Sequence, residues 1–515
     1  MDPEYKVTKE ASVSYLNGGG KWEINHVTAV APAAYLLWSV LQSRQNFFKS
    51  NSVPALLTDF LLQCGAILFA TTIYSDAPQV LLGLIALPSV ATLLQGTTEK
   101  EPAVAKPPRI PEVDGKTDGT VKGDEKEAEP ELDPLPTKPF ITAYRGAMMI
   151  ITCTSILAVD FPVFPRRFAK TEEFGTSLMD LGVGSFVFAS GIVSARQMLK
   201  EELNQSAPTF FARMKAALRH SLPLAVLGFI RLYSIKSLDY AEHVSEYGVH
   251  WNFFFTLALL SPAVALLQPV LRLVGSLNLL AFIIGIIYEI NIYFIEGLDQ
   301  YILLAPRVEG DWLSQNREGV FSFIGYLAIF ICGMGAGQHA LPRDKPWDLF
   351  ATRPENVNPL FLLQAPPAAW FGLAKWTAIW FVISVWAFWR YGPDLYASRR
   401  MANLGYIIWV CGFNTAQLLL FSLIEKVNFP SLYFAKSKEE EESRITTATS
   451  KVLHAFNRNG LAVFLLANLL TGAINLKLKT WFMEDTEAMA VLIGYIAVVT
   501  GTAVALDHFD VSIKL

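Results

Sequence analysis

Apolar segments of about twenty residues, separated by short polar connections, dominate the chain. A helix of that length crosses the hydrocarbon core of a bilayer, about 30 Å thick, and satisfies its own backbone hydrogen bonds there. Of the 515 residues, 52% are hydrophobic and 17% are charged. Soluble domains carry about 25% charged residues. The sequence therefore predicts an all-α, polytopic integral membrane protein.

The length criterion predicts about thirteen spans. They lie near residues 26–43, 53–74, 78–95, 140–160, 177–196, 219–237, 250–268, 273–296, 319–339, 370–390, 402–425, 459–477 and 487–506. Residues 96–138 are rich in Lys, Glu, Asp, Pro and Gly and lack aromatic residues, which is typical of a disordered loop. We expect one membrane unit, with an N-terminal part (1–95, three spans) and a catalytic part (139–515, about ten spans) on either side of this loop.

Positive charge is concentrated in alternate connections, and such connections face the cytoplasm. The basic set contains Arg44, Lys49, the 96–138 loop, Arg196, Lys200, Arg213, Lys215, Arg219, Arg343, Lys345, Arg353, Lys436, Lys438, Arg444 and Lys451. The N-terminus is then predicted to be lumenal or external and the C-terminus cytoplasmic. The sequon at Asn204 falls in a cytoplasmic connection, so we expect it to carry no glycan.

One predicted lumenal hairpin joins two spans through the sequence AVDFPVFPRRFAKTEEFGTSLMDLGVG, residues 158–184. Pro162 and Pro165 end the first helix near Asp160, because proline removes a donor and disfavours helix before it. A carboxylate at a helix C-terminus faces the negative end of the macrodipole and needs a cation nearby. Three cations follow within ten residues: Arg166, Arg167 and Lys170. We therefore expect chemistry at this hairpin.

The second helix of the hairpin is predicted to begin after Ser177, which is followed at the N-cap spacing by Asp180. Other polar groups share this depth just below the lumenal surface: Arg231, His250, Asn252 and Glu289. Intramembrane ionisable residues mark functional sites by default, although a helix–helix hydrogen bond explains each one alone equally well. Arg145 is the exception, near a cytoplasmic end where snorkelling explains it.

The sequence lacks the motifs that are typical of several kinds of chemistry. The chain has no phosphate-binding glycine loop, no G-x-S-x-G elbow, no clustered metal ligands and no basic, aromatic-rich surface for nucleic acid. Its four cysteines lie in apolar segments and are expected to be small buried hydrophobes; they are Cys64, Cys153, Cys332 and Cys411.

The remaining candidate residues, the charged side chains at the hairpin, suit transfer of a group to a hydroxyl. Asp160 could accept the hydroxyl proton, oriented by Lys170, while a cation or amide stabilises the oxyanion. Arg166 and Arg167 suit recognition of phosphate on a phospholipid or on a CoA moiety.

Residues 158–196 resemble the signature of the glucosaminyl-phosphatidylinositol inositol acyltransferases of GPI-anchor biosynthesis, the GPI-anchored wall transfer proteins of fungi. The resemblance covers the chain apart from the 96–138 loop. Other stretches that carry it are Lys9-Glu10 with the glycine turn that follows, HWNFFFTLA (250–258), NREGVFSFIGY (316–326), SRRMANLGYIIWV (398–410) and LANLLTGAINL (466–476).

The resemblance implies an enzyme of the endoplasmic reticulum membrane with its active site on the lumenal side. Family members move a fatty acyl chain, typically palmitoyl, from acyl-CoA to the inositol of glucosaminyl-phosphatidylinositol, so acyl-CoA is a co-substrate and no cofactor or metal is expected. Asp160 and Lys170 match the catalytic pair of the family. For His250 we expect a supporting hydrogen bond, and for Asp180, Arg231, Asn252 and Glu289 substrate contacts.

Two alternatives stay open. A membrane-bound O-acyltransferase of another type would rely on an intramembrane histidine, and His250 could take that part. A lipid or small-solute transporter of the endoplasmic reticulum would move its substrate without consuming a thioester, although transporters tend to place their charged groups at the midplane.

Overall fold

The computed structural model describes residues 3–49, 52–94, 132–204, 208–237, 246–343, 368–392 and 395–513. These ranges are helical almost throughout and contain no β-strand. The helices are α1 (Pro3–Ser12), α2 (Lys21–Thr28), α3 (Val30–Gln45), α4 (Val53–Phe60), α5 (Ala66–Thr71), α6 (Pro78–Leu94), α7 (Pro139–Ala158), α8 (Leu178–Leu203), α9 (Phe210–Ser237), α10 (Phe253–Val274), α11 (Leu277–Phe294), α12 (Leu298–Leu303), α13 (Trp312–Ala340), α14 (Ala369–Tyr391), α15 (Leu404–Asn428), α16 (Lys438–Thr447), α17 (Lys451–Arg458), α18 (Gly460–Lys477) and α19 (Asp485–His508). The predicted all-α membrane fold is confirmed.

Eleven segments of the described ranges are long and apolar enough to cross a membrane. Two of them combine consecutive helices, Lys21–Gln45 from α2 and α3 and Val53–Thr71 from α4 and α5. The others are α7, α8, α11, α13, α14, α15, α18, α19 and most of α10. The remaining two predicted spans coincide with the 17-residue α6 and the 28-residue α9. Neither is among the eleven, so the count of thirteen stays a prediction.

The connections between helices gather on two faces. On the first, which we call the hairpin face, the α7–α8 connection contacts the chain before α2, where Gly19 N donates to Thr176 O at 2.8 Å. On the opposite face, Arg343 after α13 bridges the backbone of Asp133 and the carboxylate of Glu441. Most of the 96–138 loop lies outside the described residues, as do Gln205 and Ser206 of the sequon.

Helices α8 and α13 pack closely against each other at glycine residues. A β-carbon at Gly191 of α8 would overlap the backbone of α13, and one at Gly333 of α13 would overlap the backbone of α8. Such contacts between small residues let membrane helices pack backbone to backbone. This packing fixes the N-terminus of α8, where Ser177 Oγ accepts from Asp180 N at 3.1 Å as the predicted N-cap.

Candidate active site at the hairpin face

Asp160, two residues beyond the end of α7, pairs with groups that come from both ends of the chain. Lys9 Nζ of α1 lies 2.9 Å from Asp160 Oδ1. Asn475 Nδ2 of α18 donates to Asp160 Oδ2 at 2.7 Å. The Lys9 and Asp160 side chains are 19% and 15% exposed, so the pair is shielded but reachable from solvent. The cation that this carboxylate requires is thus Lys9, which is remote in sequence.

Helix α1 is held in place by the connection between α18 and α19. Tyr5 Oη lies 3.1 Å from Thr480 Oγ1, and the Tyr5 ring meets the edge of Phe482 with ring centroids 5.5 Å apart. Thr480 Oγ1 in turn donates to Asn475 Oδ1 at 3.3 Å. The segment that delivers Lys9 is therefore tied to the segment that delivers Asn475.

Arg166 closes the turn of the hairpin from inside. Its guanidinium donates to the carbonyls of Val159, Phe161 and Phe164 at 2.7–3.2 Å. It also lies over the Trp481 ring, 4.9 Å from the centroid. Burial lowers the pKa of Arg166 to about 10, although the charge of Asp160 opposes this effect. Arg166 therefore stays cationic at neutral pH and adds positive potential beside Asp160.

Arg167 points away from Asp160 and fastens the hairpin to its neighbours. Its Nε donates to Glu23 Oε1 of α2 at 2.5 Å, and its Nη2 donates to Asp76 Oδ1 at 2.5 Å. Both sides of this guanidinium are occupied by carboxylates of the protein. The predicted phosphate contacts of Arg166 and Arg167 stay a prediction.

Lys170 pairs with Glu246, which precedes α10. Lys170 Nζ donates to Glu246 Oε1 at 2.7 Å, and Arg399 Nη2 lies 3.8 Å from the same oxygen. Burial alone would raise the pKa of Glu246, but the charges of Lys170, Arg399 and Arg231 lower it to about 2. Glu246 is therefore ionised throughout the physiological range. The Lys170 side chain is 38% exposed, so it remains accessible.

Lys170 does not orient Asp160 by direct contact, contrary to what the sequence suggested. In the described ranges Asp160 pairs with Lys9, whereas Lys170 pairs with Glu246. The 3₁₀ turn at Arg166–Phe168 separates the two residues and directs them to different neighbours. The catalytic roles of Asp160 and Lys170 themselves stay predictions.

Asp180, in the first turn of α8, is fully buried and saturated with donors from the protein. Its Oδ2 accepts from Thr171 N, Thr171 Oγ1 and Ser177 Oγ at 2.7–3.0 Å. Its Oδ1 accepts from Arg399 Nε at 2.7 Å. Asp180 thus ties the hairpin to the connection before α15. The predicted contact with substrate has no support in these bonds and stays untested.

The remaining predicted site residues organise helix ends on the same face. Asn252 caps α10, and Glu289 Oε2 accepts from Leu404 N at the start of α15 at 3.0 Å. The backbone of His250 donates to Asn316 Oδ1 at 2.8 Å. Arg231 is exposed on α9 and acts on Glu246 through its charge. The structure brings these groups to one face, but their contacts with substrate stay predictions.

A cavity of about 620 Å³ enters the helix bundle from the opposite face. Helices α7, α8, α9, α10, α13, α17 and α18 line it with apolar residues and with polar residues such as Arg213 and Arg458. Arg145 of α7 is part of this lining, and its buried Nε has no hydrogen-bond partner among the described residues. The interpretation of Arg145 as a snorkelling residue stays a prediction.

Aromatic residues lie between this cavity and the partner of Lys170. Phe186 lines the cavity and contacts Phe253, with ring centroids 5.9 Å apart. Phe253 contacts Tyr247 at 6.1 Å, and Tyr247 is the neighbour in sequence of Glu246, the partner of Lys170. Aromatic contacts therefore run from one wall of the cavity to the residue next to Glu246.

Sequence reasoning missed four residues of this centre: Lys9, Glu246, Arg399 and Asn475. Lys9, Arg399 and Asn475 lie in stretches that carry the family resemblance, and this resemblance was the feature of the sequence that could have identified them. The described residues contain no group of three or more potential metal ligands, and the four cysteines are free and buried as predicted.

Fold and site together define a polytopic helical membrane protein with a charged centre at one surface and a cavity near the other. The chain belongs to the GWT1 family, whose sequence profile matches residues 5–506. Among its relatives are proteins called GPI-anchored wall transfer protein 1. That of Aspergillus fumigatus is 49% identical, with 100% of this chain and 99% of the relative aligned. Those of Candida albicans and Saccharomyces cerevisiae are 38% and 37% identical, over 100% and 99% of both chains.

Proposed function

We propose that this protein is an acyl-CoA-dependent acyltransferase of GPI-anchor biosynthesis, which moves a palmitoyl or similar chain to the inositol of glucosaminyl-phosphatidylinositol. The name shared by its relatives refers to GPI-anchored proteins, which supports a GPI-related lipid as substrate. The observation that carries the chemistry is Asp160, a partly exposed carboxylate whose side chain pairs with just two groups, Lys9 and Asn475, in the part of the chain that the structure describes.

The proposed reaction is attack of an inositol hydroxyl on the thioester carbonyl. Asp160 removes the hydroxyl proton while the new C–O bond forms, the C–S bond then breaks, and the CoA thiolate leaves and takes up that proton. An ionised carboxyl group has about four acceptor positions, so Asp160 retains capacity for the substrate hydroxyl. Lys170, positioned by its ion pair with Glu246, stabilises the negative charge that develops on the carbonyl oxygen.

The cavity is our proposed site for the acyl donor. Its volume of about 620 Å³ and apolar wall suit a fatty acyl chain, and its lining also contains cations. The buried Nε of Arg145 has no hydrogen-bond partner among the described residues, and the phosphates of CoA would supply an acceptor for it. Aromatic contacts through Phe186, Phe253 and Tyr247 run from the cavity wall to the residue next to Glu246, the partner of Lys170.

In this proposal the protein resides in the endoplasmic reticulum membrane with the hairpin face lumenal. The basic residues Arg196, Arg213, Arg343 and Arg458 lie on the opposite face, which the positive-inside rule assigns to the cytoplasm. The N-terminus is then lumenal and the C-terminus cytoplasmic. Donor acyl-CoA enters from the cytoplasm, and the acceptor lipid meets Asp160 on the lumenal side.

The direct test is thiol release by the purified full-length protein given palmitoyl-CoA and a glucosaminyl-phosphatidylinositol analogue. We expect release that requires both lipids, produces the acylated inositol lipid and disappears in Asp160→Asn. A well-folded protein that releases no thiol with both substrates present would contradict the proposal. Movement of the lipid analogue across vesicles without thioester consumption would favour a transporter, the second candidate, which the cavity also suits.

The donor site has its own test in Arg145→Met. Loss of a charge-assisted contact with phosphate should raise the KM for palmitoyl-CoA by roughly tenfold or more, with kcat changed much less. Lys426→Met, on the same face and outside the cavity lining, is the matched control. An unchanged KM in Arg145→Met would remove the cavity from the donor path.

A further inference from the structure

We infer that Lys9 and Asn475 are positioning residues for Asp160 and that helix α1 belongs to the catalytic unit. This inference rests on the proposed role of Asp160 as the base. It assigns a function to two side chains that approach the carboxylate from elements far apart in the sequence.

The three side chains form a closed ring of contacts. Lys9 Nζ lies 2.9 Å from Asp160 Oδ1 and donates to Asn475 Oδ1 at 2.9 Å. Asn475 Nδ2 completes the ring by donating to Asp160 Oδ2 at 2.7 Å. Each member makes two contacts, so neither carboxylate oxygen can rotate without breaking a charge-assisted hydrogen bond.

The orientation of the Asn475 amide is itself determined. Its oxygen accepts from Lys9 Nζ and from Thr480 Oγ1, both of which are donors in this arrangement. The amide nitrogen must therefore face Asp160, which can only accept while it is ionised. The cluster is matched to the charged form of the carboxylate, the form that a general base needs.

The electrostatic balance around Asp160 depends on Lys9. In the described ranges the charged groups that face this carboxylate are Lys9 from α1 and Arg166 from the hairpin, whereas α18 contributes the neutral Asn475. The Arg166 guanidinium is committed to backbone carbonyls of the turn. Among the described residues, Lys9 is then the cation in direct contact with the Asp160 carboxylate.

Anchoring of α1 makes Lys9 a fixed group. Tyr5, one helical turn before Lys9, contacts Thr480 and Phe482 in the connection that follows Asn475. Residues at this spacing lie on one side of a helix. The same side of α1 thus makes the anchor and the contact with Asp160.

The test compares Lys9→Met, Lys9→Arg and Asn475→Leu by steady-state kinetics on the full-length protein, across pH, with thiol release as readout. We expect Lys9→Met and Asn475→Leu to lower kcat by roughly tenfold to a hundredfold. The KM for palmitoyl-CoA should remain near that of the unaltered protein. The acid limb of kcat/KM should move to higher pH in Lys9→Met, because the carboxylate loses its cation, and Lys9→Arg should restore most of the activity and the original limb.

Lys477→Met is the matched control, because this exposed lysine lies two residues from Asn475 on the same face. Its removal should leave kcat and the pH profile unchanged.

If Lys9→Met and Asn475→Leu turn over normally with an unmoved acid limb while Asp160→Asn is inactive, the positioning role is wrong and the proposed function stands. Full activity of Asp160→Asn would instead overturn the proposed role of Asp160. Thermal melting identifies a variant that fails to fold. If Lys9→Met fails to fold, the pH profile of Lys9→Arg, which keeps the charge in a different geometry, tests the positioning role instead.

Discussion

Asp160 and Asp180 lie at the two ends of one hairpin, yet their surroundings differ in a decisive way. Asp180 is fully buried, and its two oxygens accept four hydrogen bonds from protein donors, one of them from Arg399. Asp160 is 15% exposed and pairs with Lys9 and Asn475 alone among the described residues. Both carboxylates have a cation, so charge pairing does not separate them.

The difference is the number of acceptor positions left for a ligand. A carboxylate has about four such positions, and Asp180 has filled all of them with groups of its own chain. Asp160 has used two and faces solvent at the membrane surface. We therefore propose that Asp180 stabilises the hairpin and that Asp160 is available to react. The sequence predicted a catalytic role for Asp160 and a substrate contact for Asp180, and both stay predictions.

The largest effect on stability is expected for Asp180→Asn. Removing this charge leaves Arg399 buried beside a neutral amide, and breaking a buried ion pair costs about 3–5 kcal/mol. Thermal melting in detergent should show a large loss. Arg399 then retains only Glu246, 3.8 Å away, so adding Arg399→Met should recover part of the loss. A stable Asp180→Asn protein without activity would place Asp180 in the reaction and remove the contrast with Asp160.

A smaller effect is expected for Glu246→Gln, which tests the Lys170 side of the site. The pKa of Glu246 is lowered from its ordinary 4.5 to about 2, so its ionised form stabilises the fold. Because a quarter of the side chain is exposed, we expect a contribution on the order of 2 kcal/mol.

The pH dependence of this contribution has a definite sign. A depressed carboxyl pKa gives stability that is fully present above 4.5 and is lost as pH falls toward about 2. The melting difference between the unaltered protein and Glu246→Gln should therefore be largest at neutral pH and shrink across that window. A difference that stays constant with pH would show that the ionised Glu246 is not its source.

The smallest effect is expected for Asn252→Ala. Asn252 Oδ1 accepts from the backbone N–H groups of Phe254 and Phe255 and so caps α10. Loss of an N-cap costs about 1 kcal/mol. Asn252→Asp retains the cap acceptor but loses the bond that Asn252 Nδ2 donates to Gly228 O at 2.9 Å, so it should also be destabilised, by about 1 kcal/mol. Turnover should be preserved in both variants, and a selective loss of kcat in Asn252→Ala would instead support the predicted substrate contact.

The fold was predictable because apolar segments long enough to span a bilayer are local features of the sequence. The end of α7 near Asp160 and the cap at Ser177 follow from proline and capping chemistry over a few residues, and both agree with the structure. The two segments that fall short, α6 and α9, differ for local reasons also. Helix α6 has 17 residues, and the 28 residues of α9 carry several cations.

The partners of the charged residues were not predictable, because they depend on how distant helices pack. The sequence offered Arg166, Arg167 and Lys170 as cations for Asp160, since they are close in the chain. The turn instead commits Arg166 to carbonyls and Arg167 to Glu23 and Asp76. The cation that contacts Asp160 comes from α1, which packs against the connection between α18 and α19.

The most direct test of the contrast measures activity and folding together in Asp160→Asn and Asp180→Asn. We predict that Asp160→Asn melts like the unaltered protein and loses turnover by about a thousandfold or more, as expected when a general base is removed. Asp180→Asn should melt at a lower temperature, while the fraction that remains folded turns over within about tenfold of normal. The opposite pattern, an active Asp160→Asn and a stable but inactive Asp180→Asn, would contradict the assignment of Asp160 as the reacting carboxylate.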